Sequence, residues 1–256
     1  MDLNASAHIC LQDKGGIGKT LTASMLIQYL LERGIDIDGV DADPQAPKLS
    51  RITALNVPLL PLILHGEIQQ SAFDPAFTHI VKSKRATLMD AGSGAFLPLL
   101  KYMADNKLYS VLDRVKKQLY YHVVIISGPE KQKTAEGAVK LLEKVQGTSV
   151  KVVLWQNEKE GIPMFDGKSL EKTDWYKKHQ AQIVGIVKIE DRNNSAFTAD
   201  FLSMMEEAIT YREIMEGKSP TFDFMRQLRI ETIFADVFSE LDRVFMPGTA
   251  ELAEEA

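Results

Sequence analysis

Cysteine is nearly absent. One thiol in 256 residues, Cys10, excludes an internal disulfide framework and a four-thiolate cluster within one chain. Its place in an apolar run marks it as a small core residue. Long hydrophobic runs are missing too. The longest, Val57-Pro58-Leu59-Leu60-Pro61-Leu62-Ile63-Leu64, is too short to span a bilayer and carries two prolines. Met1-Asp2-Leu3-Asn4 lacks the basic start and apolar stretch of a secretory signal, so a cytoplasmic protein is expected. Positive charge is not in excess: Lys+Arg number 30 against 35 Asp+Glu, for a net charge of -5. No global field therefore holds nucleic acid, and any such contact must come from a local patch. The histidines at 8, 65, 79, 122 and 179 show no metal-ligand spacing, and Gly92-Ser93-Gly94 is not a nucleophile elbow.

What is present fits a soluble globular chain, with 45% hydrophobic and 25% charged residues. Short apolar runs alternate with longer helical patterns. Strands are expected at Ala7–Gln12, Ile35–Val40, Ala86–Met89, Tyr121–Ser127, Val150–Trp155 and Gln182–Ile189, with Pro58–Leu64 as a possible further strand. Helices are expected at Thr20–Arg33, Leu97–Met103, Ser110–Gln118, Thr134–Val145, Thr198–Glu216 and Thr221–Phe245. The alternation predicts an α/β fold, a mostly parallel doubly wound sheet with helices on both faces. In the last helix Ile230, Ile233, Phe234, Val237, Leu241 and Phe245 share one face, which either packs on the sheet or meets a partner. Residues 1–246 read as a single domain including that helix, and 247–256 as an acidic tail.

The informative stretch is Asp13-Lys14-Gly15-Gly16-Ile17-Gly18-Lys19-Thr20, between an expected strand and an expected helix. That is the context of a phosphate loop. Glycines let backbone amides approach phosphate oxygens, and the helix N-terminus adds free amides and a positive dipole end. Lys19 is placed to reach β- and γ-phosphates, and Thr20 to put its hydroxyl on Mg2+. The G-x-x-x-x-G-K-[ST] pattern fails at one position, where Asp13 replaces glycine. A carboxylate near phosphates costs affinity unless it points away or is paired.

Lys14, with the glycines and Lys19-Thr20, makes the sequence resemble the ParA and MinD ATPases with a deviant Walker A motif. Val40-Asp41-Ala42-Asp43-Pro44-Gln45 and Leu88-Met89-Asp90-Ala91-Gly92 extend the resemblance in order and spacing. The family implies a P-loop NTPase fold and slow hydrolysis of Mg-ATP by an ATP-dependent homodimer. By that resemblance Lys14 crosses the interface to the partner's nucleotide, like an arginine finger. Lys14, Lys19 and Asp43 are the implied catalytic residues, Asp43 aligning water. Gly15, Gly16, Ile17, Gly18, Lys19, Thr20, Leu21 and Asn157 are the implied nucleotide contacts. Thr20, Asp41 and Asp90 are the implied magnesium ligands, partly through water. Taken alone, Asn157 at a strand end caps a turn as readily as it reads a base.

More narrowly the chain resembles the plasmid TraL/StbB conjugation and stability branch. His8-Ile9-Cys10-Leu11-Gln12, Ala54-Leu55-Asn56-Val57 and Val152-Val153-Leu154-Trp155-Gln156-Asn157 support it. This implies a role in plasmid stability, positioning or conjugative transfer, with a plasmid-encoded DNA-binding or transfer protein as partner. Non-specific DNA contact has candidates in Lys82-Ser83-Lys84-Arg85, Arg114 with Lys116-Lys117, Lys177-Lys178, and Arg226 with Arg229, each equally a solvated face. Residues 240–256 are acidic, so no membrane anchor of the basic amphipathic kind is expected. Two rivals stay open: a non-hydrolysing nucleotide-dependent adaptor, which Asp13 favours, and a metabolic P-loop enzyme.

Overall fold

Strands covered on both faces carry apolar residues throughout, and the first strand here is buried along its whole length. The computed structural model describes residues 2–43, 45–64, 67–192 and 195–246. In chain order the elements are β1 (Ser6–Cys10), α1 (Lys19–Glu32), β2 (Ile37–Ala42), β3 (Ile63–Leu64), β4 (Glu67–Ile68), α2 (Asp74–Lys82), β5 (Ala86–Ala91), α3 (Phe96–Asp105) and α4 (Leu108–Arg114). They continue with β6 (Gln118–Ile126), α5 (Lys131–Lys144), β7 (Lys151–Asn157), α6 (Asp174–His179), β8 (Ile183–Ile189), α7 (Ser195–Glu207), α8 (Tyr211–Met215) and α9 (Phe224–Phe245). Six strands form one parallel sheet in the order β2-β5-β1-β6-β7-β8, and β3 with β4 makes a separate antiparallel pair. The expected α/β architecture is the observed one.

The pleat divides the core in two. Ile9, Tyr121, Val123 and Ile125 face the side covered by α2 to α5, where Phe77, Leu99 and Leu141 pack. Cys10, Tyr120, Val124 and Ile126 face the side covered by α1, α8 and α9, where Leu26, Ile214 and Phe234 pack. The stripe on α9 accordingly lies on the sheet domain: Ile230, Phe234, Val237, Leu241 and Phe245 are buried. Ile233 is only half-buried. Asp242 ties this helix to α1, accepting from the Tyr29 hydroxyl at 2.8 Å and from Arg33 Nε at 2.9 Å.

Four local expectations need correction. Pro58–Leu64 is not a strand of the sheet. Asp41 N donates to Pro58 O and Leu60 N to Asp41 O, but Pro58 and Pro61 have no amide to continue a ladder. Helix Ser110–Gln118 runs instead over Leu108–Arg114, because Lys116 is left-handed (φ 57°) and Gln118 opens β6. Thr198–Glu216 is two helices: Ala208 turns left-handed at φ 52°, and a reciprocal Thr210–Glu213 capping box starts the second. The last helix begins at Phe224 rather than Thr221, capped by Asp223, whose Oδ1 accepts from Arg226 N at 3.0 Å. Helices α2 and α6 carry no counterpart in the sequence reading. The expected tail at 247–256 lies outside the described residues. Among the described residues no helix is long and apolar enough to cross a membrane.

Candidate functional site

β1 ends with Cys10 beside Asp90 of β5, and Leu11 N still donates to His122 O of β6 at 3.1 Å. The chain then turns through Asp13–Gly18. Gly16 (φ 76°) and Gly18 (φ 106°) take the left-handed geometry that glycine alone adopts without strain. α1 starts at Lys19, and no side chain caps its first-turn amides, so they and the helix dipole face the hollow of the loop. Lys19 is buried. Its Nζ donates to the carbonyl of Lys14 at 2.7 Å. Burial lowers the pKa of this ammonium, while the nearby carboxylates, Asp90 foremost, work against the loss. Lys14 itself projects to Glu130, with Nζ 3.1 Å from Oε1.

Asp90 is 1% exposed, and burial pushes its carboxyl up to about 7. A hydrogen bond with the Thr20 side chain and the charge of Lys19 pull it down, while Asp41 and Asp43 push it further up. Oδ2 of Asp90 is buried with no hydrogen-bond partner among the described residues. An orphaned acceptor beside a threonine hydroxyl fits a hydrated divalent cation. Among the described residues no group of three or more His, Cys, Asp and Glu is placed to hold a metal unaided. Magnesium suits such a place, since it binds through one or two carboxylates together with phosphate oxygens.

Asp41 is fully buried, and both its oxygens are engaged: Oδ1 accepts from Asp43 N at 3.1 Å and Oδ2 from Ser50 N at 2.9 Å. In this conformation it ties Asp43 to Ser50. Asp43 Oδ1 accepts from the amides of Gln45 (3.2 Å) and Ala46 (3.1 Å). Its carboxylate lies against Gly92, where a Cβ would come within 2.8 Å of Asp43 Cγ. The exits of β2 and β5 are thus interlocked by a glycine that the sequence marks only as part of an Asp-x-Gly.

A cavity of about 740 Å³ opens beside the loop. It runs from Gly15–Leu21 and Asp43 past Asn157 to Ile189–Arg192 and the α7 face bearing Phe197 and Phe201. Asn157 performs two tasks here. Its Nδ2 donates to Ile17 O at 3.1 Å, bracing the loop, and its Oδ1 accepts from Lys159 N at 3.2 Å, capping its own turn. The strand order orients the cavity. β5 and β2 bring carboxylates to one flank of the loop on β1, while β7 and β8 bring the open volume to the other.

Asp13 points away from the hollow. Its Oδ2 lies 3.8 Å from Lys140 Nζ, and its Oδ1 would be 2.6 Å from a Cβ at Gly137, both on α5. Neither Gly137 nor Glu130 carries a motif that sequence reading detects. Half of the basic candidates are committed. Arg226 and Arg229 both pair with Asp200, Arg85 pairs with Asp38, Lys178 pairs with Glu143, and Lys117 is buried against the carbonyls of Ser83 and Arg85. Lys82, Lys84, Arg114, Lys116 and Lys177 are exposed. His8 and His122, far apart in sequence, meet at 3.0 Å inside the sheet.

A glycine-rich loop between the central strand and the first helix of a parallel sheet defines a nucleotide-binding domain of the P-loop class. The chain belongs to the CobQ/CobB/MinD/ParA nucleotide binding domain family, whose profile matches residues 9–230. Among its relatives is Protein TraL of Escherichia coli, 28% identical over 93% of this chain and 98% of that protein. Among solved structures, a chain of the MinC:MinD cell division protein complex of Aquifex aeolicus is similar at a TM-score of 0.53 and 15% identity, covering 93% of this chain and 96% of that one. The septum site-determining protein MinD of Pyrococcus horikoshii OT3, complexed with Mg-ADP, is similar at a TM-score of 0.51 and 14% identity, covering 96% and 98%.

Proposed function

We propose that this protein is a plasmid-encoded ATPase that binds Mg-ATP, dimerises on it, hydrolyses it slowly, and so positions a plasmid or a component of its transfer. The observation that carries the reading is the cluster at the foot of α1: buried Lys19, half-buried Thr20 and the orphaned oxygen of Asp90, under uncapped helix amides. The family supports nucleotide binding, and the likeness to Protein TraL supports the plasmid setting. Residues 1–246 form the ATPase domain in this reading.

Each residue has a task. The amides of Gly15 to Leu21 hold phosphate oxygens, and Lys19 exchanges the Lys14 carbonyl for a phosphate oxygen. Thr20 and Asp90 would hold magnesium, with Asp41 behind them fixing Asp43 and Ser50. The ion supplies charge neutralisation on the phosphates. Asp43 leaves its turn amides to align water, and Asn157 faces the base across the open flank. Lys14 serves the nucleotide of the second subunit. Leu97, Ile162 and Met164 are exposed on the segments that follow β5 and β7, beyond the C-terminal ends of the parallel strands, and they support an interface on that face. Asp13 lies against α5, away from the phosphate hollow, which supports a hydrolysing protein over a non-hydrolysing adaptor.

Saturation at about 100 times Kd adds roughly 2.7 kcal/mol of stability. A thermal upshift with Mg-ATP is expected in the wild type and not in Lys19→Ala. In single-turnover assays Asp43→Ala should retain Mg-ATP and lose hydrolysis. No nucleotide binding by calorimetry at millimolar ATP would overturn the reading. Equal turnover of wild type and Asp43→Ala would leave ATP as a structural ligand only.

A further inference from the structure

Glu130 bridges two ammonium groups. Its Oε1 lies 3.1 Å from Lys14 Nζ, and its Oε2 lies 3.2 Å from Lys133 Nζ. It ends the Gly128–Glu130 turn that follows β6, and β6 is the direct neighbour of β1, so this turn and the phosphate loop leave the sheet side by side. The turn is well fixed. Gly128 is left-handed (φ 72°) with the Glu160 carboxylate filling the place of a Cβ, and Pro129 sets the next φ. The following residue, Lys131, lies over the Phe165 ring at 5.4 Å. Glu130 is therefore carried on a braced turn, while Lys14 is a long side chain on a glycine-rich loop.

We infer that Glu130 is a positioning residue for Lys14, a latch that holds this lysine in its own subunit and sets how readily it is released to a partner's nucleotide. The inference rests on the reading that Lys14 acts across a dimer. Two features suit a latch. Lys14 and Glu130 side chains are 36% and 29% exposed, so water screens the pair and it opens without a large barrier. Lys133 remains when Lys14 leaves, so the carboxylate is never stranded without a counter-charge. A single salt bridge to Lys14 alone would make departure costlier. A lysine with no carboxylate would sample the interface at all times.

The magnitude follows from the exposure. A surface pair of this kind shifts an equilibrium by roughly two- to fivefold. Both latches open when two copies join, so removing them tightens the dimer by about four- to twenty-five-fold. The test is sedimentation equilibrium in saturating Mg-ATP for wild type, Glu130→Gln, Glu130→Asp, Lys14→Ala and the double variant Lys14→Ala/Glu130→Gln. Monomer affinity is read separately with a fluorescent ATP analogue. Glu130→Gln should tighten the dimer without changing nucleotide affinity, and Glu130→Asp should fall between it and wild type. The double variant should be as monomeric as Lys14→Ala, a dependence that a merely structural role for Glu130 would not produce. If Lys14→Ala stays monomeric while Glu130→Gln dimerises no better than wild type, the latch is wrong and the trans reading stands. If Lys14→Ala dimerises like wild type, the trans reading falls and the latch with it.

Discussion

Asp13 occupies the place where a phosphate loop has its first glycine, and α5 accommodates it by lacking a side chain at Gly137. A glycine inside a helix is usually improved by alanine, by up to about 1 kcal/mol. Here the added methyl would meet Asp13 Oδ1 at 2.6 Å and Gln12 Oε1 at 3.1 Å. Overpacking of that kind costs about 1–3 kcal/mol. Gly137→Ala should therefore destabilise the wild type in urea unfolding, yet stabilise a chain that already carries Asp13→Ala. A stabilised Gly137→Ala with Asp13 intact would show that the carboxylate simply swings aside. The pair also marks the limit of sequence reading at this site. The loop glycines, Lys19 and Thr20 were legible because their geometry is local, a run of adjacent residues at a strand–helix junction. Gly137, Glu130 and the contact of Gly92 with Asp43 were not, since only the sheet brings those segments together.

Helix α7 borders the cavity, yet its hold on the molecule is electrostatic as much as apolar. Asp200 is 4% exposed and takes both Arg226 and Arg229 of α9, the former through Nε at 2.7 Å. Arg226 also donates to Ser203 Oγ at 2.9 Å. The arginines reach solvent, so Asp200→Ala should cost nearer 1–3 kcal/mol than the full penalty of a buried pair. Hydrogen exchange should then speed up in α7 before α9. Uniform exchange across both helices would mean that α7 is held by its apolar face alone. The break after α7 shows why element boundaries were only partly readable. Thr210-Tyr211-Arg212-Glu213 fits a capping box, so the restart was there to be seen. The left-handed Ala208 was not, because alanine is the strongest helix former and tertiary packing overrides it. The sheet strands were found because burial on both faces writes itself as apolar runs; Pro58–Leu64 carries the same run, but its prolines limit it to two bonds with Asp41 and the short pairing of Ile63–Leu64 with β4.

At the scale of the whole molecule, a buried chain of hydrogen bonds crosses the middle of the sheet. Trp155 Nε1 donates to His122 Nδ1 at 2.9 Å, which leaves the proton of His122 on Nε2. That nitrogen donates to His8 Nδ1 at 3.0 Å, His8 Nε2 donates to Ser6 Oγ at 2.7 Å, and Ser6 donates to Leu3 O at 2.6 Å. No link has room for an extra proton. Burial lowers His8 to about 3, helped by the charge of Lys117, and holds His122 well below its ordinary range. The unfolded chain protonates both near 6.5, so it binds more protons than the native state below that pH. Stability present above about pH 6.5 should be lost as pH falls toward 3, at up to about 1.4 kcal/mol per pH unit for each ring. Urea midpoints from pH 7 to 4 should show the loss, and His8→Gln/His122→Gln should flatten the profile. An equally steep profile in that variant would assign the acid sensitivity elsewhere. The same central strand has a consequence for synthesis. β1 finds its neighbours only when Thr87 and Tyr120 have been made, since Ala7 pairs with one and His8 with the other. Contacts so distant in sequence form late and slowly. The segment that carries the phosphate loop precedes both partner strands in the chain, and it gains its shape only after they have been made. Nucleotide in the cell therefore meets no binding-competent nascent chain until that point, and acts as a seal on a finished fold rather than as a template for one in progress.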